Sequence, residues 1–143
     1  MRLAVIADIH GNLEALESVL AAIDGEGVEV ILNLGDLVGY NASPNECLEL
    51  LQDRNVWSLA GNHDLALFDA ERAQHFNIIA HQALMWCREQ LRPEFREFLR
   101  GLPLVRQQPG SMGLGTSRQR PITPPDWKPP PKPDLNTSGR KRK

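Results

Sequence analysis

Hydrophobic and polar positions follow two different periods along this chain. Three short apolar runs, residues 3–7 (LAVIA), 28–34 (VEVILNL) and 56–60 (VWSLA), are strand-length. They are rich in β-branched or large apolar side chains and are bounded by Gly, Asn or Asp, which predicts three buried strands. Between them the apolar residues recur at helical spacing. Leu13, Leu16, Val19, Leu20 and Ile23 form one stripe, closed by Gly25 and Gly27. Ser43-Pro44-Asn45-Glu46 opens a second helix: Ser43 suits the cap, Pro44 the first helical position, and Glu46 completes a capping box. That helix is expected to run to about Gln52. A longer helical pattern covers 70–91, through Phe76, Ile79, Ala80, Ala83, Leu84 and Cys87. A shorter one covers 93–100 and is closed by Gly101 and Pro103; residues 102–105 offer the start of another strand. The order β-α-β-α-β predicts an α/β fold, with right-handed crossovers and a parallel sheet carrying helices on its faces.

Composition divides the chain. Of its 143 residues, 1–108 hold 16 Asp and Glu against 8 Lys and Arg, whereas 109–143 hold 2 against 8. All four lysines and 8 of the 11 prolines fall in the second segment. It has no helical or strand periodicity and reads as a disordered, proline-rich basic tail following one domain at 1–108. The acidic body argues against nucleic acid as its main partner. The tail leaves a competing reading, an appendage for nucleic acid or an SH3-like groove. Cys47 and Cys87 form no Cys-x-x-Cys pair, so neither a disulfide framework nor a zinc knuckle is indicated. The N-terminal apolar run is broken at Asp8, too early for a signal-peptide core, and no stretch approaches membrane-spanning length. The expected location is cytoplasmic, without a membrane.

Each predicted strand is followed at once by residues that can bind metal. The first gives Asp8-Ile9-His10-Gly11-Asn12, the second Gly35-Asp36, and the third Gly61-Asn62-His63-Asp64. The carboxyl ends of parallel strands share one edge of the sheet, where such folds build their sites. Asp8, His10, Asp36, Asn62 and His63 should therefore converge. Oxygen and imidazole donors suit Mn, Fe, Zn or similar divalent ions. A carboxylate shared by two ions holds them roughly 3.5–4 Å apart, a geometry that orients a phosphoryl oxygen and activates water. Tyr40, in Gly39-Tyr40-Asn41, follows Asp36 on the same edge and is expected to stack on or hydrogen-bond a substrate, or to pack on its own loop. No phosphate-binding Gly-x-x-x-x-Gly-Lys loop and no Gly-x-Ser-x-Gly elbow occurs. The aromatic residues Trp57, Trp86, Phe76, Phe95 and Phe98 sit at spacings that suit core packing. Arg88, Arg92, Arg96 and Arg100 read as a solvated face.

The segments ADIHGNLEAL, NLGDLVGYNASPNEC and LAGNHD resemble the first half of a calcineurin-like metallophosphoesterase, in its branch of small bacterial and archaeal phosphodiesterases. The resemblance implies the N-terminal lobe of a four-layer α/β/β/α sandwich. It implies a dinuclear centre of divalent ions (Mn, Fe, Zn or Ni) and hydrolysis of phosphodiesters or phosphomonoesters by metal-activated hydroxide. By that resemblance Asp8 and His10 bind the first metal, Asp36 bridges both, and Asn62 binds the second. His63 contacts the scissile phosphate, Asp64 orients His63, and Asn12 hydrogen-bonds a phosphate oxygen.

The family pattern also asks for later histidines, one before a Gly and a Gly-His-x-His. This chain has four histidines, His10, His63, His75 and His81, and the last two lie on the predicted 70–91 helix. The first metal would then lack one ligand and the second two. The resemblance stops near residue 108, which suggests a frameshifted or otherwise truncated gene. The alternative function is accordingly a catalytically impaired metal-binding remnant, or a lobe that docks on a partner or on itself through an exposed face.

Overall fold

The computed structural model describes residues 2–106 together with Leu114 and Gly115. The rest of 109–143, where a disordered tail is expected, lies outside the described residues. Strands β1 (Leu3–Ile6), β2 (Val30–Asn33) and β3 (Trp57–Ser58) form a three-stranded sheet in that order, with both pairs parallel. The register pairs Ile6 with Asn33 and Asn33 with Ser58, so all three strands end on one edge. Helix α1 (Leu13–Asp24) joins β1 to β2, and α2 (Pro44–Asp53) joins β2 to β3. These are the expected crossovers.

The core lies between the sheet and the helices. Leu16 and Leu20 of α1 meet Cys47, Leu48 and Leu51 of α2, with Leu37, Val38 and Leu67 from the loops. Ile6 packs against this cluster, whereas Leu3 and Val5, alternating with it, are 44% and 51% exposed. The period of two along a strand puts these side chains on opposite faces. One face of β1 is therefore partly buried and the other exposed.

The helix ends depart from the reading in three places. Ser43 takes the N-cap position of α2, but its side chain makes no capping bond, so the expected box does not form. Pro44 alone supplies the start signal. The expected 70–91 helix is two helices, α4 (Ala70–Gln74) and α5 (Ile78–Gln90), separated at His75-Phe76-Asn77. Asn77 causes the restart: its Oδ1 accepts the N–H of Ala80 at 2.9 Å, a cap that competes with continuing the helix. Between β3 and α4 lies the unforeseen helix α3 (Asn62–Ala66). Helix α6 (Pro93–Arg100) falls where predicted and buries Phe95 and Leu99. Beyond it β4 (Val105–Arg106) pairs antiparallel with β5 (Leu114–Gly115). Among the described residues no helix is long and apolar enough to cross a membrane.

Candidate active site

The three strand ends open into loops that lie against one another. Past the sheet, the first two loops stay zipped by backbone hydrogen bonds. Asp8 N–H donates to Gly35 O at 3.1 Å, His10 N–H to Asp36 O at 2.9 Å and Gly11 N–H to Leu37 O at 3.0 Å. To make these bonds and still turn, Asp8, His10, Asp36 and Tyr40 adopt φ values of 57, 50, 56 and 59°. Left-handed backbone is costly for residues with a Cβ, and it gathers where function holds it in place. Four such residues on two adjacent loops mark this edge of the sheet.

Glycine makes the approach of the second and third loops feasible. A Cβ on Gly35 would collide with the backbone of Gly61, and one on Gly61 would collide with the backbone and carboxylate of Asp36. The Gly of each Gly-Asp and Gly-Asn-His-Asp segment is thus required by packing rather than by a turn alone.

Asp8, His10 and Asp36 come together, with one ligating atom from each lying within 4.8 Å of the others. The Nδ1 of His10 donates to Val38 O at 2.9 Å, since a carbonyl can only accept. This fixes the tautomer and leaves the Nε2 lone pair free, 3.7 Å from the Asp8 carboxylate. Two carboxylates and an oriented imidazole make a donor set that fits a divalent ion of the Mn, Fe, Zn or Ni kind. Asn62, the first residue of α3, lines a cleft of about 280 Å³ together with Asp8, Asp36 and Gly61.

His63 follows on α3. Its N–H donates to Asp36 Oδ1 at 2.8 Å, tying the third loop to the second. Its ring packs against His10 and Phe76, with centroids 4.6 and 4.5 Å away, and against Tyr40 at 4.9 Å. The Nδ1 atom is buried without a hydrogen-bond partner among the described residues. Burial lowers the pKa of this ring and the neighbouring His10 lowers it further, while Asp36 and Asp8 pull it back up. Space around the ring is tight: a Cβ on Gly39 would stand 2.6 Å from Nδ1.

Among the described residues the Asp64 carboxylate makes no hydrogen bond to the His63 ring, where an orienting contact is expected. The carboxylate accepts the N–H groups of Gly61 and Asp36 at one oxygen, at 2.8 and 2.9 Å, and those of Leu37 and Val38 at the other, at 2.9 and 3.2 Å. It is therefore a clamp between the second and third loops. Burial pushes this carboxyl up to about 6, against the pull of its N–H donors. Asn12 is also engaged in the backbone. Its Oδ1 accepts the N–H of Ala15 and caps α1, leaving only its amide N–H₂ for a ligand. Tyr40 sets its ring edge-on to His10 at 4.8 Å and stays half exposed.

Neither His75, at the C-terminal cap of α4, nor His81, on α5, belongs to the cluster, and His75 donates to Glu71 O at 2.8 Å. Two further side chains reach the site. Phe76 packs partly against the core, as its spacing suggests, and in the break between α4 and α5 its ring also stacks on His63. Arg72 lines the cleft from α4. Neither has a local signature; each depends on where α4 docks.

The family model for calcineurin-like phosphoesterases matches residues 1–129. The chain belongs to this family. It is 46% identical over 103 residues to the uncharacterized protein MJ0912 of Methanocaldococcus jannaschii, a match covering 72% of this chain and 42% of that protein. Among solved structures, a metallophosphoesterase from Sphaerobacter thermophilus superposes with a TM-score of 0.60 at 40% identity, over 76% of this chain and 44% of that one. The hypothetical protein PH1004 of Pyrococcus horikoshii superposes with a TM-score of 0.64 at 29% identity, over 72% and 48%. This calcineurin-like phosphoesterase chain thus spans less than half the length of these relatives, as an N-terminal half does.

Proposed function

We propose that this chain carries the metal-binding and phosphate-contacting part of a hydrolase for phosphodiester or phosphomonoester bonds. The observation that carries the reading is the Asp8–His10–Asp36 cluster, built on left-handed backbone with the His63 ring 4.6 Å from His10. Asp8, His10 and Asp36 would hold one divalent ion, and Asp36 with Asn62 would reach a second. Such ions supply a Lewis acid that polarises a phosphoryl oxygen and lowers the pKa of water. Manganese, iron, zinc and nickel all suit the donors.

The remaining residues position the substrate. With its pKa lowered by burial, His63 is a neutral ring at neutral pH, so it offers an N–H to a phosphoryl oxygen. Protonating the leaving oxygen needs the charged ring, which an arriving phosphate anion favours. Tyr40 flanks the same ring and stays half exposed, and the amide N–H₂ of Asn12 is a further donor of the first loop. Asp64 acts at a distance from substrate, by holding the loops that carry Asp36 and His63.

The test is hydrolysis of an aryl phosphodiester and an aryl phosphomonoester by the purified chain with Mn²⁺, beside Asp36→Asn and His63→Ala. Metal-dependent turnover lost in both variants is expected. A second reading has its own support: among the described residues one cluster of metal-ligating groups is found, and the chain spans less than half of its relatives. In that reading the lobe binds metal without turnover. Mn²⁺ binding by a folded, inactive chain would decide for it.

A further inference from the structure

The cleft beside Asp8, Asp36 and Asn62 has a single basic side chain among its described lining residues, Arg72. None of the roles assigned above uses it. Its surroundings fix it from one side. Asp69 caps α4, its Oδ1 accepting the N–H groups of Glu71 and Arg72 at 3.1 and 3.2 Å, and its Oδ2 accepts the Arg72 Nε at 3.0 Å. The guanidinium is held along its Nε edge by a carboxylate that is itself anchored to the backbone. Its two terminal nitrogens make no hydrogen bond to the described residues, and the side chain is 47% exposed. Helix α4 packs on α3, which bears Asn62 and His63.

We propose that Arg72 is a phosphate-binding residue of this cleft, presenting its two terminal nitrogens to the non-bridging oxygens of a phosphoester. The inference rests on the phosphoesterase reading of the neighbouring carboxylates. Three physical points support it. A planar guanidinium matches two phosphate oxygens at once, which an ammonium does not. The lining carboxylates repel an anion, and a cation at the same cleft offsets that field. An exposed ion pair three residues apart on a helix adds little to stability, so pairing with Asp69 does not by itself require an arginine there.

The experiment is calorimetric titration of the full chain with inorganic phosphate in saturating Mn²⁺, for the wild type, Arg72→Ala and Arg72→Lys. Turnover of an aryl phosphodiester is measured in parallel. Arg72→Ala should weaken phosphate by about tenfold or more, the loss expected for hydrogen bonds to a charged group. Arg72→Lys should recover part of it, while Mn²⁺ affinity and the thermal midpoint stay at wild-type values. Equal phosphate affinity in the wild type and Arg72→Ala overturns the proposal, as does a Mn²⁺-loaded wild type that binds no phosphate. A weakened Arg72→Ala in a chain without turnover supports the Arg72 assignment and counts against the hydrolase reading instead. Turnover with an unchanged KM in Arg72→Ala does the reverse.

Discussion

At Asp64 one buried carboxylate accepts four backbone N–H groups from two loops that are far apart in sequence. Removing it strands those donors where water does not reach, each at a cost of about 1–3 kcal/mol unless the loops open. Asp64→Ala should therefore lower the unfolding free energy by at least about 3 kcal/mol, read from urea denaturation. A smaller change would mean that the loops are held by their own backbone ladder. The contrast with Asp36 and His10 shows what a sequence carries at this scale. Those residues were legible because each follows a strand, and parallel strands share one ligand-bearing edge. The role of Asp64 was not, because adjacency to His63 along the chain says nothing about where its oxygens point. The core packing of Phe76 was legible, but its contact with His63 and the place of Arg72 at the cleft were not, because only tertiary docking brings them there.

Among the elements, the strands and crossover helices were legible from period alone, whereas the helix ends were decided by individual side chains. The 70–91 pattern is helical throughout by apolar spacing, yet the amide of Asn77 caps a new helix within it. Asn77→Ala should cost about 1 kcal/mol and speed hydrogen exchange at Ala80 N–H. Ser43→Ala, at a cap position with no capping bond, should stay within about 0.5 kcal/mol of the wild type. Equal losses in the two denaturation curves would sink this distinction. The packing of α2 and α5 on the core has a pH signature as well. Burial pushes the Cys47 thiol from 9.0 up to about 12 and the Cys87 thiol up to about 11. A thiol with a raised pKa contributes stability that is fully present below 9.0 and is lost as pH rises towards the folded value, because the unfolded chain ionises first. Raising the pH from about 8 to about 10 should cost roughly 1 kcal/mol for each thiol. The Cys47→Ala, Cys87→Ala double variant should lose less over the same interval. Parallel slopes would show that other groups set the alkaline limit.

For the molecule as a whole, the acidic body frames the last expectation. Residues 1–108 carry twice as many acidic as basic side chains, and two of those carboxylates, Asp8 and Asp36, are held together by left-handed loops. Folding without an ion brings like charges together, and an ion that binds only the folded chain repays that repulsion. Binding to the native state alone stabilises by about 2.7 kcal/mol at a hundredfold excess over Kd. In a domain of this size that is a rise in thermal midpoint on the order of 10 °C. Mn²⁺ should produce such a rise in the wild type and in Arg72→Ala, which leaves the ligands intact. Asp36→Asn should abolish most of it, since it alters a proposed ligand and also the acceptor of the His63 N–H. General screening of an acidic surface would act alike on all three proteins and would be matched by monovalent salt of equal ionic strength. A rise that survives Asp36→Asn would therefore assign the effect to the whole body's charge and remove the metal site from the account of this fold.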